Sequence, residues 1–163
     1  MSLISQAIQE SLCEQISAER YNASLYLYIF SVLKNKGLDN LAKHFEEQAI
    51  EENGHAKKII DFMTDLNSDV TINMVKEVEP LSEGFTIINI ADLYLNREID
   101  TTESLDEIKK LCLSESNPVA EEFLRTMILE QRKEYEEATT WKDKAALTDG
   151  NWSTVLLWDS SYN

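Results

Sequence analysis

The sequence predicts an all-α protein: a four-helix bundle of two antiparallel hairpins joined by one long crossover, followed by a short C-terminal helix. Only 4 Gly and 2 Pro occur in 163 residues, too few for the many turns of an all-β sandwich or barrel. Apolar residues recur at steps of three and four over four long stretches, and the second and third stretches are separated by a segment without that period. The length favours one domain over 1–163, with the bundle in 1–145 and the tail in 146–163.

The boundaries of the four stretches follow from local residue types. The first runs from about residue 3 to residue 36, where Gly37 is predicted to end the helix and Asp39 to cap the next. Residues 67–84 are predicted to form the crossover. The fourth helix is predicted to follow a cap at Ser116 or Asn117, with Pro118 in its first turn. The tail from residue 152 to 158 is apolar and is expected to form a contact surface between chains, with folding back onto its own bundle as the alternative.

Six polar residues lie on helix stripes that are otherwise mostly apolar. A buried carboxylate is costly unless it is paired or bound to a metal, so a set of them in core positions calls for a ligand. Glu19 lies 18 residues before the predicted turn at Gly37 and His55 lies 18 after it, which places them at the same height in an antiparallel pair. The second hairpin repeats this placement 79 residues later. The six residues are Glu19, Glu52, His55, Glu98, Gln131 and Glu134.

The chemistry of this set favours a di-metal centre. Glu52 and His55 form a Glu-x-x-His pair, and residues three apart share one helix face. Carboxylates with a single imidazole suit iron or manganese. A Glu from each of two helices together with Glu-x-x-His is typical of carboxylate-bridged di-iron bundles. The alternative, polar residues on a solvated face, is disfavoured because solvated faces do not fall on apolar stripes.

Four segments resemble the metal-binding helices of ferritins, and the resemblance covers about residues 3–145. They are QISAERYNASLYLY, HFEEQAIEENGHAKKI, LNREIDTTESLDEI and FLRTMILEQRKEYEEA. The resemblance implies that one iron is held by Glu19, Glu52 and His55, and a second by Glu52, Glu98 and Glu134. It also implies that Gln131 lies beside the metals near the oxygen site. Tyr26 matches a family tyrosine thought to supply an electron, although its spacing fits an ordinary core aromatic equally well.

Individual residues indicate which kind of ferritin the chain resembles and where it differs from the family pattern. Asn53 stands where bacterioferritins have the Met that ligates haem, so the chain resembles a non-haem bacterial-type ferritin and no haem is expected. Glu51 and Glu130 match a third iron site of bacterial ferritins. Lys133 replaces a Glu usual in that site, which predicts weakened or lost cation binding there. Thr126 replaces a common Trp, so electron donation from that position is not expected.

The resemblance implies a ferroxidase that oxidises Fe(II) with dioxygen and stores ferric mineral in a homo-oligomeric cage, with 24 subunits in the family. Two alternatives stay open: a di-metal oxidase acting on an organic substrate, and a mineral-nucleating or structural bundle subunit without oxidase activity. The formal net charge of −15 disfavours nucleic-acid binding. No signal peptide or membrane span is visible, so a cytoplasmic protein is expected. Cys13 and Cys112 are predicted to be packing thiols, and His44 a surface histidine.

Overall fold

The computed structural model describes residues 1–162, which form five α-helices and no β-strand. The helices are α1 (Gln6–Asn35), α2 (Asp39–Asp65), α3 (Ile87–Ser114), α4 (Pro118–Leu147) and α5 (Trp152–Ser161). α1 packs along α2, α3 packs along α4, and α1 also contacts α3. The predicted fold class is therefore confirmed. None of the helices in the described range is long and apolar enough to cross a membrane.

The helix ends follow the predicted turns with one exception. Gly37 has φ +75°, a left-handed conformation that glycine adopts without strain, and it follows the last turn of α1. Asn117 caps α4 by accepting from the backbone N–H of Ala120 at 3.1 Å, with Pro118 as the first helical residue. The prediction that Asp39 caps α2 is wrong. Asp39 is already helical, and Leu38 stands at the N-cap without a side-chain hydrogen bond.

The missing cap of α2 is supplied by α5. The Asp159 carboxylate accepts from the backbone N–H of Leu41 at 2.8 Å, and the Asn40 side chain donates to the backbone carbonyl of Asp159 at 2.9 Å. The first N–H groups of a helix have no partner within it, so an acceptor from elsewhere in the chain satisfies one of them. The fifth helix is therefore fastened to the start of the second.

The core consists of two apolar clusters with a polar layer between them. The near cluster, on the α5 side, includes Tyr26, Phe45, Tyr94, Ala138 and Trp141. The far cluster occupies the other end of every long helix and includes Ile8, Ile16, Ile59, Leu105 and Leu124. On all four long helices the six predicted polar residues fall between the stretches that build the two clusters. The fold thus brings them to one level in the middle of the bundle.

The structure shows how far His44, the apolar tail and the two cysteines are exposed to solvent. His44 is buried, with 5% of its surface exposed, and stacks on Trp141 at a ring-centroid distance of 5.4 Å. The prediction of a surface histidine is wrong because the end of α5 covers this position, with Tyr162 against the His44 ring. In the tail, Leu156 and Leu157 are exposed while Trp152 and Trp158 are half-buried against the near cluster. Cys13 and Cys112 are buried and carry free thiols.

Candidate metal centre

The polar layer contains two groups of metal-ligating side chains that share one residue. Ligand atoms of Glu19, Glu52 and His55 all lie within 4.8 Å of one another, and those of Glu52, Glu98 and Glu134 satisfy the same limit. All five residues are buried. Each of the four long helices contributes at least one of them, so the set depends on the assembled bundle rather than on any single segment.

Glu19 is oriented by a chain of hydrogen bonds that runs through Gln15 and Ser104. The Gln15 side-chain amide donates to Glu19 Oε1 at 2.8 Å, and the Ser104 hydroxyl donates to Gln15 Oε1. Glu19 Oε2 finds no hydrogen-bond partner within residues 1–162, and the same is true of Glu52 Oε2 and Glu134 Oε2. Buried carboxylate oxygens are normally satisfied, so unpartnered ones within a cluster of ligand atoms fit a site for a cation.

Glu98 is placed differently from Glu19, although the two residues occupy equivalent positions in the two hairpins. The Tyr26 hydroxyl donates to Glu98 Oε1, and the Gln131 side-chain amide donates to Glu98 Oε2 at 2.7 Å. Both oxygens of Glu98 are thus engaged by donors of the chain itself. The structure places Tyr26 and Gln131 on either side of the Glu98 carboxylate.

His55 lies at the junction of the two groups and next to solvent. Its Nδ1 is 3.7 Å from Glu52 Oε2 and 3.9 Å from Glu19 Oε2, while its Nε2 is 3.2 Å from Glu134 Oε1. The His55 and Glu134 side chains are each 11% exposed, against 1–2% for Glu19 and Glu52. The centre is therefore reached from the side of α2 and α4.

Burial raises the pKa of the carboxylates of this centre. It raises the pKa of Glu52 to about 8 and the pKa of Glu134 to about 8, and neighbouring carboxylates push both in the same direction. The pKa of Glu19 is also raised well above its usual range, first by burial and then by Glu52. Close carboxylates cannot all be charged without a compensating cation. A divalent cation that enters would displace protons and take over their role.

An opening between α2 and α4, which we call the mouth, leads to His55 and Glu134. It has a volume of about 360 Å³ and is also lined by Glu51, Lys58, Glu130, Lys133 and Glu137. Glu51 and Glu130, predicted for a third site, therefore lie next to the centre together with Lys133. Lys58 Nζ donates to the two oxygens of Glu130 at 2.7 and 2.9 Å. Thr126 is exposed and its hydroxyl donates to the Glu122 carbonyl at 3.2 Å.

Sequence reasoning missed three residues of this region. Gln15 and Ser104 support Glu19, and Lys58 pairs with Glu130. The position of Gln15 could have indicated a contact with Glu19, because it lies one turn before Glu19 on the same helix face. Lys58 lies three residues after His55, but a lysine on an acidic helix is normally a solvated side chain, so its position in the sequence does not indicate its pairing with Glu130.

Comparison with known proteins identifies the family of the chain. The family model for a ferritin-like domain matches residues 9–147, which include all four long helices almost completely and every residue of the polar layer. The chain belongs to the ferritin family. Ferritins are iron-storage proteins, so this chain belongs to a family that binds and stores iron. The predicted recognition as a non-haem bacterial-type ferritin is confirmed by relatives that carry that name.

Several ferritins are similar over most of their length. The chain is 29% identical to ferritin BfrB of Mycolicibacterium smegmatis over 128 residues, 78% of this chain and 69% of the relative. It is 28% identical to the bacterial non-heme ferritin of Campylobacter jejuni over 133 residues, 81% of this chain and 78% of the relative. The structure is similar to that of an open pore ferritin from the hyperthermophilic archaeon Archaeoglobus fulgidus, with a TM-score of 0.91, 28% identity and coverage of 99% and 98%.

Proposed function

We propose that this ferritin oxidises Fe(II) to Fe(III) with dioxygen at a di-iron centre within each subunit and stores the ferric product as a mineral inside a homo-oligomeric cage of 24 subunits. The observation that carries the proposal is the pair of buried ligand groups that share Glu52. A carboxylate with two oxygens can bridge two metal ions, and the four-helix layer offers one further ligand set on each side of it. Iron is the substrate and cargo of this reaction.

The two iron positions differ in how available their carboxylate ligands are to a metal ion. At the first, Glu19 is already oriented by Gln15 and presents an unpartnered Oε2 beside His55. At the second, both oxygens of Glu98 already accept hydrogen bonds, from Tyr26 and from Gln131, which makes them weaker ligands for a metal ion. Gln131 also adds no negative charge, unlike a carboxylate at the same place. The first iron is therefore bound more tightly, and the second is a weaker occupant that leaves after oxidation.

The mouth supplies a route for iron to and from the centre. Glu51, Glu130 and Glu137 give it negative charge, which attracts a divalent cation. Lys58 and Lys133 counter that charge, and the Lys58 ammonium already occupies both oxygens of Glu130. An exposed ion pair of this kind contributes at most about 1 kcal/mol, so an arriving cation can displace it. A third iron therefore passes through the mouth without being held there.

The proposal is tested by adding ferrous iron aerobically to metal-free protein and following oxygen uptake and ferric absorbance. A Glu52→Ala/His55→Ala double variant removes the shared ligand and the imidazole. The matched control is Glu46→Ala, which removes one exposed carboxylate from the same helix. We expect fast oxidation in the wild type and the control, and oxidation at the rate of buffer in the double variant.

The other outcomes distinguish the alternatives. Oxidation no faster than buffer in the wild type, with mineral still formed in its presence, would favour a subunit that nucleates mineral without oxidase activity. Manganese rather than iron in the purified protein, together with slow iron oxidation, would favour a di-metal oxidase for an organic substrate. Equal rates in the wild type and the double variant would place iron oxidation elsewhere on the chain.

A further inference from the structure

A continuous row of oxidisable aromatic rings runs from the metal centre to α5. Tyr26, which donates its hydroxyl hydrogen to Glu98, meets Tyr94 at a ring-centroid distance of 5.4 Å. Tyr94 meets Trp141 at 6.3 Å, and Trp141 meets Tyr162 at 6.3 Å. Tyrosine and tryptophan are the side chains that lose single electrons most readily apart from the thiols, and here each one contacts the next. The row crosses the near cluster and ends at the last turn of α5.

The outer end of the row has the hydrogen-bond arrangement that one-electron oxidation of a tyrosine requires. Trp141 Nε1 donates to Tyr162 Oη at 3.2 Å, so the hydroxyl hydrogen of Tyr162 is left to point at His44 Nδ1, 2.9 Å away. Burial lowers the pKa of His44 to about 4, so the ring is neutral at neutral pH and Nδ1 can accept. Glu137 Oε1 lies 3.8 Å from the same nitrogen and would stabilise the ring once it is protonated.

Tyr162 differs in this respect from the tyrosine in the middle of the row. The Tyr94 hydroxyl is buried and has no hydrogen-bond partner in the part of the chain that the structure describes. Loss of an electron from Tyr94 would therefore leave a buried cation radical that cannot pass its proton on, which is unfavourable in an apolar cluster. Tyr162 can release its proton as its electron leaves. The oxidising equivalent is thus more stable on Tyr162 than on Tyr94.

We propose that Tyr162 is a terminal electron donor to the di-iron centre, and that Trp141, Tyr94 and Tyr26 relay its electron. The inference rests on the proposed function, since dioxygen bound at that centre is the oxidant. Two ferrous ions supply only half of the electrons that reduction of dioxygen to water needs. Tyr162 supplies the third electron: it leaves through the row, the hydroxyl proton moves to His44 Nδ1, and a neutral tyrosyl radical remains. A third ferrous ion that enters through the mouth supplies the fourth electron, and the protons of the two water molecules come from solvent.

The surroundings of Tyr162 allow the radical to be reduced again. Tyr162 and Trp158 line a groove of about 640 Å³ between α4 and α5, which is open to solvent. A dissolved one-electron reductant, such as a further ferrous ion, can reach the ring there. Its electron restores the phenol as the proton returns from His44. By supplying this electron, the C-terminal end of α5 would shorten the lifetime of partly reduced oxygen at the metal centre, although α5 does not contact that centre.

The test is a single turnover with three ferrous ions per chain and dioxygen, frozen at early times and examined by electron paramagnetic resonance. Tyrosine with deuterated rings identifies tyrosyl signals by the narrowing of their hyperfine splitting. Tyr162→Phe removes the donor. Tyr94→Phe interrupts the row with a ring that is not readily oxidised, and it leaves the hydrogen bonds of Tyr162 with Trp141 and His44 in place. The matched control is Tyr135→Phe, an exposed tyrosine on α4 that lies outside the row. Circular dichroism of each variant checks that it is folded.

We expect a tyrosyl radical in the wild type and in Tyr135→Phe, and loss of that radical species in Tyr162→Phe. In Tyr94→Phe we expect the signal to shift to the spectrum of Tyr26 at the inner end. A signal that is unchanged in both Tyr162→Phe and Tyr94→Phe, with iron oxidation normal, would overturn the relay and leave the proposed function standing. Absence of iron oxidation in the wild type would overturn both.

Discussion

Glu19 and Glu98 show how equivalent positions in two hairpins acquire different chemistry. Both lie at the same level on the inner faces of their helices, yet Glu19 is tethered through one oxygen by Gln15 while Glu98 is engaged through both oxygens by Tyr26 and Gln131. Hydrogen bonds to a charged acceptor contribute about 1.5–3 kcal/mol each. This difference between Glu19 and Glu98 is large enough for one of two identical ions to bind before the other.

Replacement of Gln131 tests the weaker position. Gln131→Glu removes a donor to Glu98 and adds a negative charge, so the second divalent ion should bind about ten-fold more tightly, a change of about 1.4 kcal/mol. Release of the oxidised product should slow in parallel. Calorimetric titration with redox-inert Zn²⁺ measures the affinity. The comparison variant is Gln131→Leu, which removes the donor without adding charge and separates the two effects. Equal second-ion affinity in Gln131→Glu and wild type would contradict the ordering.

Replacement of Gln15 tests the stronger position. Gln15→Leu leaves Glu19 free to rotate away, so the first ion should bind about ten-fold more weakly, while the second changes little. The chain offers a close control, because Gln6 donates to Glu10 Oε1 at 2.8 Å in the same four-residue geometry on the exposed start of α1. Gln6→Leu should leave both affinities unchanged. Stepwise Co²⁺ titration, followed by the visible spectrum of the bound ion, distinguishes the two positions.

At the scale of the helices, sequence patterns predicted what depends on neighbours in the chain. The four long helices and the crossover follow from the presence or absence of a 3.6-residue period, and the six polar residues stood out because they lie on apolar stripes. The cap of α2 by Asp159 and the burial of His44 depend on α5, which is more than a hundred residues away in sequence. No local pattern marks such contacts, so these two features could not be predicted.

The cap from Asp159 predicts that α5 contributes to the stability of α2. Asp159→Ala leaves the N–H of Leu41 without its acceptor and should lower the free energy of unfolding by about 1 kcal/mol. Asp159→Asn keeps an acceptor at the same place and should cost much less. Chemical denaturation followed by tryptophan fluorescence measures both. An Asp159→Ala variant as stable as the wild type would show that water replaces the carboxylate without loss.

His44 predicts how the contact between α5 and the bundle responds to acid. Its folded pKa of about 4 lies below the ordinary value of 6.5, so between these values the unfolded chain binds a proton that the folded chain does not. Stability is therefore lost as pH falls from about 6.5 to 4, by roughly 3 kcal/mol if Glu137 and Tyr162, which face the ring, do not stabilise its charged form. The melting temperature of wild type should fall relative to His44→Phe across this range. Parallel curves would contradict the assignment.

At the scale of the whole molecule, charge and apolar surface act in opposite directions on assembly. The formal net charge of −15 makes identical chains repel one another. The exposed side chains of α5 favour association, since Leu156 is 51% exposed and Leu157 is 71% exposed beside half-buried tryptophans. The apolar attraction is short-ranged and insensitive to salt, whereas the repulsion is screened by it. Assembly of the proposed cage should therefore depend on ionic strength.

The expected dependence is an increase of assembly with salt. The screening length falls from about 30 Å at 0.01 M to about 3 Å at 1 M salt, so repulsion between chains is largely removed at the higher concentration. Analytical ultracentrifugation should show small species at low salt and the large assembly at high salt. Leu157→Ser should weaken assembly at both, because it removes apolar area without changing charge, whereas Leu129→Ser, on the far-cluster half of α4, serves as its control. If the size distribution were the same at both salt concentrations, charge repulsion would not govern assembly, and the contacts between subunits would have to include compensating positive charge.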